Sequence, residues 1–331
     1  MKKCLLIRLG AFGDLIFAST ILPFLKRNGY HITMNVKKWS MPVILHNPYI
    51  DKIILHDENI PNEKLEEHWA RLSEGYDKVI NLSESIEGTL LKTSWKEGYN
   101  WPKEDRHKVC NVNYYDRTLE IAGYGHIKGL SGELYFTKNE HKWAEKQINK
   151  TNGKFTILCA LSGSALHKTY PYIEQTICEF LDSYPDSICY TVGEYLCQLL
   201  EWEHPRTKCK AGIWDIRQSL IMTKYVDLVI GSETGVLNAS GCFDTHKIVL
   251  LSHSSHENLS KYWKNCFPVH ADVDCYPCHK MQYDREHCEI DKDTEAPICM
   301  AKISPYVILT CMEEIYRKRR HKRWQHQPVH H

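Results

Sequence analysis

The chain has 331 residues, of which 43% are hydrophobic and 25% charged, and its formal net charge is +1. Those proportions match an ordinary globular protein and exclude a disordered chain or a fibrous array. The length suits two domains, because a single core rarely grows past about 250–300 residues.

The first apolar run, residues 3–9, ends at Gly10. Helix-like spacing follows over residues 14–26, so the chain opens as strand, tight turn and helix. The run is cut by Arg8 and then Asp14, unlike a signal peptide. Its longest apolar stretch, residues 15–25, falls short of the roughly 20 residues a membrane span needs. Residues 31–36, 52–55 and 78–82 read as further strands, with a helix over 63–74. Strands alternating with helices predict a parallel sheet covered on both faces. Near residues 95–114 the alternation dissolves into charged and aromatic residues, and a domain link is expected at about 130–139. A second series then begins, with strands at 155–161, 188–193, 228–231 and 247–251. Helices are expected between them at 172–183, 215–225 and 235–243. The expected fold class is therefore α/β with two Rossmann-like domains, residues 1–135 and 136–316. Tandem units of this kind predict a ligand cleft beyond the carboxyl ends of their strands.

Three strand-to-helix turns could carry chemistry. In the first, Gly10-Ala11-Phe12-Gly13-Asp14, the glycine spacing fits neither a dinucleotide fingerprint nor a P-loop. Asp14 reads either as a helix N-cap or as a carboxylate able to take a proton from a hydroxyl. The second, Ser162-Gly163-Ser164, leads to Lys168 in the equivalent place of the second half. Hydroxyls, backbone N–H groups and one ammonium suit a phosphate, although an ordinary surface loop would look the same. In the third, Glu233-Thr234-Gly235, the glycine allows an anion to approach the helix start. Glu233 would repel a phosphate, so it is assigned to ribose or sugar hydroxyls, or to capping.

Together the three turns resemble the heptosyltransferases of bacterial lipopolysaccharide synthesis, glycosyltransferase family 9, nearly end to end. The resemblance rests on Arg8 through Asp14, on Asn47-Pro48-Tyr49-Ile50-Asp51, on Gly163, Lys168 and Tyr170-Pro171, and on Glu233-Thr234-Gly235. It implies a GT-B-type architecture, with an acceptor half facing a donor half across a cleft. It also implies an inverting displacement from a nucleotide-diphosphate sugar, with no cofactor required. Asp14 would be the base, with Gly10, Ala11, Phe12 and Gly13 forming the acceptor-side loop. Ser162, Gly163, Ser164, Lys168, Glu233, Thr234, Gly235 and Asn238 would hold the donor, Lys168 also stabilising the departing diphosphate. The sequence departs from that pattern at three positions. Gly10 stands for a serine, Glu233 for an aspartate and Asn238 for a histidine.

Two features lie outside those turns. Cys275, Cys278, Cys288 and Cys299, in a cysteine-rich loop over 275–299, have spacing that zinc could use or that a metal-free loop could carry. Most of the chain's 14 cysteines, such as Cys4, Cys159, Cys178, Cys189 and Cys197, sit in apolar runs, where thiols pack as small hydrophobes. That pattern suggests a reducing, cytoplasmic setting. The basic end, residues 317–331, reads as a solvated tail or as a polyanion contact. Without Arg317, Lys318, Arg319, Arg320, Lys322 and Arg323, 36 basic residues would face 41 acidic ones. The expected acceptor is a lipopolysaccharide-core saccharide, with any membrane contact peripheral. The alternatives are a hydroxymethylated base in DNA, or an inactive protein that only binds nucleotide-sugar or nucleic acid.

Overall fold

A computed structural model describes residues 1–84, 101–163, 165–280 and 288–325, without the side chains of Asn62, Glu84, Leu166 and residues 321–325. It contains two parallel sheets. The first has the order β3-β2-β1-β4, from β1 (Lys2–Ile7), β2 (Tyr30–Val36), β3 (Lys52–Leu55) and β4 (Lys78–Asn81). The second has the order β10-β9-β8-β5-β6-β7. Its strands are β5 (Phe155–Ala160), β6 (Ser187–Val192), β7 (Thr207–Cys209), β8 (Leu228–Ser232), β9 (His246–Leu250) and β10 (Cys266–Val269).

The central strands are buried on both sides, as the unbroken apolar runs require. Every residue of β5, β6 and β8 is buried, and so are the last four of β1. Each fully buried Ile or Leu there contributes roughly 2 kcal/mol relative to exposure. Burial also raises the thiols. Cys4 is pushed up to about 11 and Cys189 well above its ordinary value, which suits apolar packing rather than reactivity.

Strand order places the turns. In the first sheet the chain steps outward from β1 to β3, then returns to β4 on the other side of β1. In the second it steps from β5 out to β7, then returns to β8 beside β5. Where the order reverses, adjacent helices leave toward opposite faces and the strand ends stay uncovered, which is where open α/β sheets bind ligands. The Gly10–Asp14 turn follows β1 at the first reversal. The turns after β5 and β8 flank the second.

The expected helix over 14–26 is two helices, Phe12–Ser19 and Leu22–Arg27. Pro23, in the first turn of the second, has no N–H to donate and its ring would crowd the carbonyl of Ser19 in a continuous helix. Residues divide into a unit of Met1–Thr137, Ser255–Tyr262 and a short piece from Cys278, and a second unit holding the rest. Hydrogen bonds explain the return of Ser255–Tyr262 to the first unit. Asn113 Nδ2 donates to Glu257 O at 3.1 Å, and Tyr262 Oη to Asp116 Oδ2 at 2.8 Å. The expected tail is helical as far as it is described, within Pro305–Gln325. Its basic run is partly paired: Arg317 with Glu313, Lys318 with Glu314, and Arg319 with Asp227 at 2.5 Å. Among the described residues no helix is long and apolar enough to cross a membrane.

Candidate active site

In the first unit, Asp14 is not the helix cap. Ala11 occupies the cap position with extended backbone, and Asp14 sits three residues in. From there its Oδ2 reaches back to accept the Ala11 N–H at 2.5 Å. Its Oδ1 pairs with Arg8 Nη2 at 2.7 Å. Arg8 is itself buried, and its Nη1 donates to Leu82 O at 2.6 Å. Leu9 N donates to Ser83 Oγ, so the segment after β4 supports the turn after β1. One lone pair on each carboxylate oxygen is thus occupied, and the side chain stays 19% exposed.

Gly10 makes that arrangement fit. A Cβ there would lie 2.0 Å from Asp14 Oδ2 and 2.5 Å from Asp14 Cβ, so any side chain would displace the carboxylate. The departure from serine is matched by the fold-back of Asp14 onto Ala11. Phe12 packs edge-on against Trp39 at 5.4 Å, which seats the loop. Gly13 is buried in the first turn of the helix.

In the second unit, the turns after β5 and β8 converge. A Cβ on Gly163 would lie 2.7 Å from Lys168 Cδ and 3.3 Å from Thr234 Cγ2, so this glycine lets the two turns touch. Ser232 Oγ donates to Lys168 O, and the Ser162 and Thr169 hydroxyls are 2.8 Å apart. Thr234 caps the helix Gly235–Ser240 by accepting the Leu237 N–H at 3.3 Å. Ser164 lies outside the described residues.

Glu233 is engaged within its own chain. Oε1 accepts the Ser252 and Ser254 N–H groups at 3.0 and 2.9 Å. Oε2 accepts from Ser252 Oγ at 2.9 Å and contacts His253 Nδ1. Burial pushes this carboxyl up, but His253, Lys168 and the Ser254 N–H together bring it down to about 2. The extra methylene relative to aspartate gives the reach to the 252–254 loop.

His167, which carries no motif signal in the sequence, sits against His253 of the same loop. Its ring meets His253 edge-on at 5.2 Å, it is 4% exposed, and among the described residues neither ring nitrogen has a hydrogen-bond partner. Burial, with His253 and Lys168 adding to it, pushes its pKa down to about 3. Asn238, one turn into the adjoining helix, has a buried Oδ1 with no partner among the described residues. Unpaired buried polar atoms each cost about 1–3 kcal/mol, so their gathering around one pair of turns is a feature a ligand would relieve.

A pH dependence follows from this pair. An imidazole that stays neutral in the fold to about 3, but protonates near 6.5 when unfolded, removes stability as the pH falls through that interval. Glu233, held at about 2 against 4.5, adds a loss of the same sign at lower pH. Urea unfolding is expected to show about 2 kcal/mol less stability at pH 4.5 than at pH 7 from His167 alone. The His167→Phe protein should lose most of that slope, and an unchanged slope would refute the assignment.

The cysteine candidates are spread in exposure: Cys275 exposed, Cys278 and Cys288 half-buried, Cys299 buried. Cys278 and His279 lie with the first unit, where Arg106 Nε donates to Cys278 O and His107 Nδ1 sits 3.1 Å from His279 Nε2. Among the described residues no three His, Cys, Asp or Glu side chains are grouped to hold a metal ion.

No protein-family profile matches the sequence, and no curated protein does. Solved structures do. A glycosyl transferase of family 9 from Veillonella parvula superposes with a TM-score of 0.66 at 14% identity, covering 96% of this chain and 97% of that one. The fold is that of the heptosyltransferases. The ADP-heptose lipopolysaccharide heptosyltransferase II of E. coli also gives 0.66, at 13% identity over 97% of this chain and all of that one. The iron-containing heptosyltransferase TibC of enterotoxigenic E. coli, solved with ADP-D-beta-D-heptose, gives 0.60 at 11% identity, over 96% of this chain and 77% of that one.

Proposed function

We propose that the chain is an inverting, metal-independent glycosyltransferase moving a sugar from a nucleotide diphosphate to an acceptor hydroxyl. Asp14 takes the hydroxyl proton as that oxygen attacks the anomeric carbon from the face opposite the diphosphate. Lys168, with the N–H groups at Thr234 and Gly235, stabilises the charge that grows on the leaving phosphate. The observation that carries this reading is the match of chemistry to topology. A mostly buried but still accessible carboxylate, held by a buried arginine, stands at the strand-order reversal of one sheet, and a lysine among small residues at the reversal of the other. A lysine supplies positive charge where a metal would otherwise be needed, which supports metal independence.

A lipopolysaccharide-core-type saccharide is the acceptor we favour, with the enzyme in the cytoplasm where nucleotide-sugars are made. A like-folded neighbour holds ADP-heptose, which makes adenine the first base to test. The DNA reading rested on the basic end, where Arg317, Lys318 and Arg319 are already ion-paired.

Thermal shift with ADP, UDP, GDP and CDP tests the donor, since a ligand at 100 times its dissociation constant adds about 2.7 kcal/mol. One nucleotide should raise the melting temperature, and mass spectrometry should then show transfer to rough-core lipopolysaccharide in excess chelator. Silence toward all four would sink the reading, and transfer only to hydroxymethylated DNA would replace its acceptor.

A further inference from the structure

The second unit carries an apolar surface that the proposed reaction does not use. After β6 the chain forms a six-residue 3-10 helix, Tyr195–Leu200, before reaching the edge strand β7. With three residues per turn, side chains three apart line up. Cys197 turns inward and is buried, while Leu196 and Leu199 stand together outward at 73% and 85% exposure. Tyr195 is 72% exposed, and Leu200 is 37% exposed.

Ile213 joins them at 62% exposure. The turn before it is pressed against the helix: Gln198 Nε2 donates to Ala211 O at 3.0 Å, and Gly212 N to Gly193 O at 3.0 Å. A Cβ on Gly212 would lie 2.9 Å from Tyr195 Cα, and its φ of +64° also calls for glycine. The helix and turn are therefore one surface.

We propose that this surface is a self-association site, binding the same face of a second copy of this chain about a two-fold axis. Area is the first argument. The five side chains expose roughly 600 Å² together, at the upper end of what a monomer leaves in one patch and most of the ~800 Å² per partner of a standard interface. Charge is the second. The helix carries none, and the stretch from residue 194 to 215 that holds it and the turn carries both signs, with Glu194, Glu201, Glu203 and Asp215 against Arg206, Lys208 and Lys210. A two-fold contact can set each copy's acids against the other's lysines, whereas an anionic lipid surface would meet more carboxylates than ammonium groups. Among the described residues the other large exposed apolar side chains, such as Trp39 and Leu55, are scattered over separate elements, apart from the adjacent pair Tyr306 and Val307 on the last helix.

Sedimentation velocity of the full chain across micromolar concentrations tests the proposal, with and without neutral and anionic lipid vesicles. The parent protein should sediment as a dimer. Leu199→Glu should weaken association at least about 30-fold, with circular dichroism and melting temperature unchanged. Ile213→Lys, on the separate turn, should act alike and covers the case where Leu199→Glu does not fold. A parent protein that stays monomeric at about 100 µM would overturn the proposal, as would variants that dimerise as well as the parent. So would vesicle binding by a monomer that is lost in Leu199→Glu, which would assign the surface to lipid.

Discussion

Asp14→Asn is expected to lower sugar transfer by about 10²–10⁴-fold while leaving nucleotide binding in place. The amide keeps the shape and can still accept the Ala11 N–H, but it cannot take the acceptor proton. It also removes the negative charge that pairs with the buried Arg8. A stability loss of about 1–3 kcal/mol should accompany the change, so unfolding is measured alongside kcat. Gly10→Ala separates position from chemistry. It retains the carboxylate but puts a methyl where Asp14 now lies, so kcat should fall by about 10-fold or more although the acid is still present. If Asp14→Asn transfers at the parental rate, the base is elsewhere.

Lys168→Ala should lower kcat by about 10²–10³-fold, the usual loss when one preorganised charge-stabilising donor is removed. The backbone of Lys168 is fixed by Ser232 Oγ, and its aliphatic stem packs over Gly163. The ammonium alone therefore disappears, while both turns keep their course. Lys168→Arg should recover part of the rate, because the charge remains but its geometry differs. The decisive readout is kcat measured in chelator: an alanine variant as fast as the parent would leave the leaving group to other residues.

The sequence made the turns legible because each ends a long apolar strand, and such strands have a strong signal. β1, β5, β8 and β9 all lie close to where their patterns place them. The edges were harder to read. β7 spans three residues around Lys208, and β10 contains Pro268, which an edge strand tolerates because its outer N–H groups need no partner. Neither looks like a strand by periodicity.

At the site, residue types were legible and partners were not. Arg8 stood in the motif, but nothing in its spacing showed that it would turn back onto Asp14. His167, a histidine beside a lysine, carries no periodic signal. Its character comes from His253, far along the chain. Glu233 reads in the sequence as a partner for ribose or sugar hydroxyls or as a cap, and its contacts with Ser252, His253 and Ser254 have no local signal either.

That clasp bears on how donor preference could be redesigned. A carboxylate fastened at both oxygens to its own loop is part of the frame, and exchanging it should loosen the scaffold before it alters choice. A library meant to change which nucleotide-sugar is accepted is better seeded at His167 and Asn238, whose polar atoms are still looking for partners, with Glu233 and His253 left untouched.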